Sequence, residues 1–486
     1  MNRPNILLIV SDDHGHADRS AMGTPGVRTP VLDRLAAEGA TCTDAYVTAP
    51  ICSPSRAGLI TGQYQQRWGG LWFDSAHIGD APTIAERLRD AGYATGYFGK
   101  VHYGHETAAD RGAPPHHGFD ESFYGLAGQS MGRLHYLHHS DDAVAEYGEA
   151  AEAMGVQPFW SGEEPVEFDG FTTDEIADRA GAFIESRAGE QPFFAMVAFN
   201  AVHNFCWQLP DDELAARGLE KPDDWHPGAA EYLDWYDGAI SPNLPDGRAF
   251  YLAQLELMDR AIGRLLDTLD AGGVAEDTIV VYLTDNGGSQ CNYGDNGALR
   301  GTKYTLWEGG IRVPFLVRWP GVAAASTVVS EPVSALDLAP TFAAAAGLEA
   351  YPDGDGRDLR PVLAETTDAE MSDTETTDAE MSDTETLADE RHGDRELHWD
   401  CGWQWAVRRG DWKLLWVDGD SPTAEYVRAV EHTSTGDGLI LTDLAGDPGE
   451  RDNLATRRPR LVAQLTRAHE RWRQRVGLLP APTSGD

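Results

Sequence analysis

Lysine is nearly missing from this chain: Lys100, Lys221, Lys303 and Lys413 are the only four in 486 residues. Basic residues total 38 against 79 acidic ones, a formal net charge of −41. Phosphate backbones are gripped by a basic face, so nucleic acid is excluded as a main partner. Anionic membrane surfaces are excluded by the same argument of sign. So acidic a chain repels itself in dilute buffer, and concentrated salt screens that repulsion. The composition fits a salt-loving host. It fits equally a GC-rich genome that favours arginine over lysine, with one acidic insert added.

Cysteine is sparse too. The five are Cys42, Cys52, Cys206, Cys291 and Cys401, an odd count without CxxC spacing. No disulfide scaffold or zinc ribbon is indicated, and a reducing compartment is expected. No apolar stretch reaches the length that crosses a bilayer. The first apolar run, residues 6–10, is too short for a signal-peptide core and no cleavage site follows it. A soluble, cytoplasmic protein is the expectation. What is present is apolar mass: hydrophobic residues make up 41% of the chain and 14 residues are Trp, enough for a large core. The length suits two to four domains, or one large α/β domain with a smaller companion.

Residues 6–10 form a continuous β-prone run, the pattern of a strand buried on both faces of a parallel sheet. Similar runs occupy 94–98, 193–199 and 278–283. Helices are predicted over 29–38, 83–91 and 250–269, each stopped by glycine. Alternating strands and helices predict an α/β fold, a large mostly parallel sheet sandwiched by helices, over residues 1–361. Residues 362–392 differ. ETTDAEMSDT at 365–374 repeats unchanged at 375–384, an acidic low-complexity insertion with no chemistry of its own. After it, 403–417 reads as an antiparallel hairpin, 439–441 as a further strand and 460–476 as an amphipathic helix. Residues 393–486 are therefore expected to form a small α+β C-terminal domain.

Asp12-Asp13 sits where the first buried strand ends, and Asp285-Asn286 where the strand 278–283 ends. In open parallel sheets, ligands bind beyond the carboxyl ends of the strands. One acidic pair alone reads as a turn or a cap. Two such pairs on separate strands supply hard oxygen ligands of the kind that Ca²⁺ or Mg²⁺ takes. Cys52-Ser53-Pro54-Ser55-Arg56 reads as a helix start, with Ser53 or Cys52 as the N-cap, Pro54 in the first turn and Arg56 one turn on. A thiol there is either buried packing or a nucleophile with a lowered pKa.

CSPSR at 52–56 followed by AGLITG resembles the type I sulfatase signature, and further stretches resemble that family in order along the chain. They are PNILLIVSDD (4–13), GKVH (99–102), PFFAMVAFNAVH (192–203), TDNG (284–287), LRGTKYTLWEGGIRVP (299–314) and DLAGDPGERDNL (443–454). The resemblance implies an alkaline phosphatase-like α/β fold and a sulfuric ester hydrolase. It implies that a formylglycine-generating enzyme converts Cys52 to Cα-formylglycine, which hydrates to a geminal diol. Asp12, Asp13, Asp285, Asn286 and the Cys52-derived oxygen would hold the metal, in the family usually Ca²⁺. One diol hydroxyl, activated by the metal and Arg56, would attack the sulfur of a sulfate ester. Lys100 and Lys303 would bind the sulfate oxygens, His203 would protonate the departing alcohol, and His102 would take a proton from the second hydroxyl to expel sulfate. Two of the four lysines fall on the two motif positions that need an ammonium, in a composition that has almost none to spare.

The chain departs from the family pattern at Val202, where Pro is common, and at 204–207. These positions bear on substrate choice. Trp68, Trp72, His105, Arg133, His135, His138, His139 and Trp207 lie between the motifs. Taken singly each is a packing residue; taken together, with Trp72, His105, Arg133, His135 and Trp207 foremost, they are candidates for a sugar subsite. The expected substrate is a sulfated carbohydrate. The rivals are a phosphonate monoester or phosphodiester hydrolase of the same superfamily, and a catalytically silent metal- or carbohydrate-binding protein.

Overall fold

The computed structural model describes residues 3–72, 77–105, 107–126, 158–223, 228–230, 244–349, 351, 354–364 and 395–479. The acidic repeat lies outside them. Among these residues the larger part has the strands β1 (Asn5–Ser11), β2 (Ala40–Cys42), β3 (Ala45–Tyr46), β4 (Ala94–Lys100), β5 (Glu121–Gly125), β6 (Phe159–Ser161), β7 (Glu164–Val166), β8 (Phe193–Ala198), β9 (Thr278–Thr284), β10 (Phe315–Arg318), β11 (Thr327–Val329) and the short β12 (Val333–Ser334). Ten of them form one sheet in the order β11-β2-β10-β9-β1-β8-β4-β5-β6-β7, while β3 pairs with β12. The centre, β9-β1-β8-β4-β5, is parallel, as expected. Antiparallel pairs lie outside it: β10 runs antiparallel to β9 and β2, and β6 runs antiparallel to β5 and β7, while the edge strand β11 is parallel to β2.

All seven residues of β1 are buried, because helices cover both faces of the sheet. Leu7 and Ile9 face a layer with Leu32 and Leu35 of helix Pro30–Glu38, Ile176 of helix Thr172–Arg187 and Leu265 of helix Gly247–Ala271. Ile6, Leu8 and Val10 face the opposite layer, with Ile60 of helix Cys52–Thr61, Leu88 of helix Ile84–Asp90 and Phe342 of helix Leu338–Ala345. Each such fully buried side chain contributes about 2 kcal/mol. The alternation of side chains along a strand makes one apolar run serve both layers.

The C-terminal part is an antiparallel sheet, β13 (Glu396–Asp400), β14 (Gln404–Arg409), β15 (Trp412–Val417) and β16 (Gly438–Asp443), with helices Pro422–Glu431 and Pro459–Arg475. The hairpin turn falls at Gly410-Asp411, as the sequence predicts. Polar ties anchor this sheet to the larger one. Trp399 Nε1 donates to the Val47 carbonyl at 2.7 Å, and the buried Lys413 lies 2.8 Å from Glu308 and 3.0 Å from Glu450. Among the described residues no helix is long and apolar enough to cross a membrane.

Candidate active site

Four parallel strands deliver their following residues to one end of the sheet. β1 leads into Asp12 and Asp13, β9 into Asp285 and Asn286, β8 towards His203, and β4 ends on Lys100 with His102 just beyond. Backbone bonds extend the ladder past the strand ends. The Asp12 amide donates to Ala201 O at 2.9 Å, Val202 N donates to Asp12 O at 2.8 Å, and Asp285 N donates to Ser11 O at 3.2 Å. Two glycines allow this convergence. Gly99 has φ +116° and a Cβ there would meet Ala198 O at 1.9 Å. A Cβ on Gly287 would meet Gly309 O at 1.9 Å, so the TDNG turn packs against the EGG backbone only because Gly287 has no side chain. Asp13 and His102 both hold left-handed backbone, at φ 55° and 61°. Non-glycine residues adopt that region only under constraint, and such strain concentrates at functional sites.

The helix Cys52–Thr61 points its start at this cluster. Its N-cap is Ile51 in extended conformation with no side-chain cap, rather than Ser53 or Cys52, and Cys52 is its first helical residue. Pro54 still occupies the first turn, where a missing N–H costs nothing. Cys52 is buried and its Sγ donates to Asp12 Oδ1 at 3.4 Å. Burial, with Asp12 and Asp285 adding to it, pushes this thiol well above its ordinary range. Burial of this kind disfavours the thiolate of the unmodified side chain.

Arg56 is fully buried and bridges the two acidic strand ends, Nε to Asp285 Oδ2 at 2.7 Å and Nη2 to Asp12 Oδ2 at 3.2 Å. Its Nη1 donates to Lys100 O at 3.1 Å, fixing the strand end that carries the lysine. Lys100 Nζ reaches Asp12 Oδ2 at 2.5 Å. Lys303 Nζ lies 2.8 Å from Asp13 Oδ2 and 3.1 Å from His203 Nε2. Burial alone would raise Asp12, but Lys100, His203, Arg56 and Lys303 outweigh it and hold that carboxyl well below the usual range. Asp13 is pushed up to about 7 by burial, against the pull of Lys303 and with the help of Asp12 and Asp285. Burial disfavours the Lys303 ammonium, yet Asp13 more than compensates and keeps it charged. His102 is driven well below its ordinary value by burial and by the nearby Lys100 and Arg56, which favours the neutral ring.

The donor set fits a hard divalent cation. Asp12, Asp13, Cys52 and His203 offer atoms that all lie within 4.8 Å of one another. Asn286 Nδ2 donates to Asp13 Oδ1 at 2.7 Å, while its Oδ1 is buried without a hydrogen-bond partner. A buried amide oxygen left over beside three carboxylates is what a cation with oxygen ligands would satisfy. His203 enters this group although the sequence offers it only as an acid. Sequence does not single out Asn292: its Nδ2 donates to Asp13 Oδ2 at 2.5 Å, and no motif marks this residue at the end of a single 3-10 turn, Gln290–Asn292.

The candidate subsite residues are more scattered. Trp72 is half-buried against Tyr304 and Trp403 at ring distances of 5.9 and 6.1 Å. His105 is exposed and stacks on His77 at 4.0 Å. Trp207 is buried beside Phe205, and Trp68 packs half-buried on the core. Arg133, His135, His138 and His139 lie outside the described residues.

Comparison with known proteins agrees with this geometry. The family model described as Sulfatase matches residues 4–348. The steryl-sulfatase of Mus musculus is 30% identical over 99% of this chain and 83% of its own length. The arylsulfatase A of Homo sapiens is 30% identical over 93% of this chain and 83% of its own length. Among solved structures, that of Ps i-CgsB in complex with k-i-k-neocarrahexaose has a TM-score of 0.75 at 26% identity, covering 97% of this chain and 93% of that one. The chain belongs to the sulfatase family and is a sulfuric ester hydrolase.

Proposed function

We propose that the substrate is a sulfated carbohydrate, and that the nucleophile is the hydrated formylglycine made from Cys52 by a formylglycine-generating enzyme. The observation that carries this reading is the placement of Cys52. It sits buried at a helix start, within reach of Asp12, Asp13 and His203 and ringed by Lys100, Lys303 and Arg56. The carbohydrate assignment draws support from the half-buried Trp72 and the exposed His105, and from a structural relative solved with a neocarrahexaose.

Formylglycine supplies a geminal diol, whose first hydroxyl can attack sulfur and whose second lets sulfate depart. Asp12, Asp13, Asp285, Asn286 and the Cys52-derived oxygen would hold a divalent cation, Ca²⁺ in preference to Mg²⁺, which would supply Lewis-acid activation of the attacking hydroxyl. Lys100 and Lys303 neutralise charge on the sulfate oxygens as the ester bond breaks. His203, beside Lys303, protonates the leaving alkoxide. His102, neutral in its buried setting, takes the proton that must leave the diol before sulfate is released. Arg56 holds Asp12, Asp285 and the Lys100 carbonyl in register.

Turnover of a panel of sulfated mono- and oligosaccharides, aryl sulfates and matched phosphate esters tests the substrate class. The account expects sulfate esters to exceed their phosphate counterparts and a sulfated sugar to lead the panel. Faster phosphate-ester turnover would replace the reading with a phosphoester hydrolase.

A further inference from the structure

Glu431 ends the helix Pro422–Glu431 in the C-terminal part, and it is fully buried. A carboxylate at a helix C-terminus opposes the helix dipole. Among the described residues it makes no ion pair with Lys, Arg or His. Hydrogen-bond donors meet its oxygens instead. Oε1 accepts from Ser289 Oγ at 2.6 Å and lies 3.5 Å from Cys291 Sγ. Oε2 accepts from Gln290 N at 2.7 Å and lies 2.9 Å from Thr302 Oγ1. These contacts join the two ends of one loop. Thr302 Oγ1 and Lys303 N also stand 2.8 and 3.2 Å from Gly288 O.

That loop bears on Asp13 twice, through Asn292 Nδ2 at 2.5 Å and Lys303 Nζ at 2.8 Å. The helix acts on both sides of Lys303. Glu431 holds Thr302, and Tyr426 meets the Tyr304 ring with centroids 6.4 Å apart. Gln404, from the same C-terminal part, donates to Tyr304 O at 2.6 Å. A buried carboxylate met by Ser289, Gln290 and Cys291 donors, with the Thr302 hydroxyl shared between it and Gly288 O, fixes geometry at a cost in desolvation.

We propose that Glu431 is a positioning residue: the C-terminal part uses it to clamp the loop that aims Lys303 at the reacting sulfate group and Asn292 at Asp13. The proposal rests on the reading of Lys303 as a sulfate ligand. Glu431→Gln places an amide N–H₂ where a donor already points, and Thr302→Val removes one hydroxyl at nearly constant shape.

The experiment measures KM, kcat and the inhibition constant of inorganic sulfate with an aryl sulfate, on wild type, both variants and the exposed-site control Glu425→Gln. Thermal melting of each is recorded alongside. Misaimed ligands weaken sulfate binding by about tenfold or more, so KM and the sulfate inhibition constant rise together in both variants and stay unchanged in Glu425→Gln. A lowered melting temperature with unchanged KM and unchanged sulfate inhibition would overturn the positioning role and leave Glu431 a fold residue. If Glu431→Gln does not fold, Thr302→Val alone decides between these outcomes. A wild type that turns over aryl sulfate but is indifferent to inorganic sulfate would instead overturn the reading of Lys303, and the proposal with it.

Discussion

Arg56 Nε stands 2.7 Å from Asp285 Oδ2, tying the helix that carries Cys52 to a strand end 229 residues away. The same guanidinium reaches Asp12, so one side chain bridges two carboxylates that would otherwise repel each other. Both carboxylates and the arginine are fully shielded from water. Arg56→Lys keeps the charge but loses the fork that serves two partners. Removing one member of a buried ion cluster costs about 3–5 kcal/mol. Arg56→Lys is expected to lower the denaturation midpoint measurably and to abolish turnover. A variant with wild-type melting and wild-type rate would show that the bridge is dispensable.

His203 Nε2 lies 3.1 Å from Lys303 Nζ, the proposed sulfate ligand. If it protonates the departing oxygen, His203→Ala should lose on the order of 10²–10⁴ in rate on substrates with basic leaving alcohols. Aryl sulfates with acidic phenols need less help and should lose less. Measuring kcat/KM for wild type and variant across phenyl sulfates of graded leaving-group pKa tests this. Equal losses across the series would remove His203 from the acid role.

His117 predicts part of the acid stability. Its Nε2 lies 3.0 Å from Tyr103 OH and its Nδ1 lies 2.9 Å from Ala113 O, a pairing that suits the neutral ring. Burial, with Arg111 adding to it, pushes its pKa down to about 3. The unfolded ring titrates near 6.5. Between those values the unfolded chain binds a proton that the fold refuses, so stability is full above pH 6.5 and is lost as pH falls towards 3. The slope is about 1.4 kcal/mol per pH unit. His117→Gln should flatten the decline of urea midpoints between pH 6 and pH 4 relative to wild type. Parallel declines would contradict the assignment.

The net charge of −41 predicts salt stabilisation. Screening relieves repulsion among exposed carboxylates, so the melting temperature should rise between dilute and molar KCl. An unchanged or lower value in molar KCl would count against a composition tuned to salt.

Much of the candidate site is legible in sequence because its proposed ligands follow strand ends. Asp12, Asp13, Asp285 and Asn286 each follow an apolar run with turn chemistry behind it, and a parallel sheet brings such ends together. Lys100 and Lys303 stand out through scarcity. Three of the four lysines, these two and Lys413, are buried, which places almost all surface basic charge on arginine. Asn292 and Glu431 are not legible in the same way. Each acts through long-range contacts, and an Asn in a single 3-10 turn or a Glu at a helix end carries no periodic signal. The helix cap at Ile51 escapes for another reason: burial of the whole first turn replaces the polar cap that sequence rules expect. The antiparallel strands at the sheet's ends are short, β6 and β7 spanning three residues each, and period-based reading has little to work on.

The central claim is that Cys52 acts as its formylglycine derivative. The most direct test is the mass of the Cys52 peptide from protein that turns over a sulfate ester, with the Cys52→Ala variant assayed in parallel. The account predicts a peptide lighter than the thiol form, by the change from thiol to aldehyde, and no turnover by Cys52→Ala. Full activity in protein whose Cys52 is entirely a free thiol would contradict it.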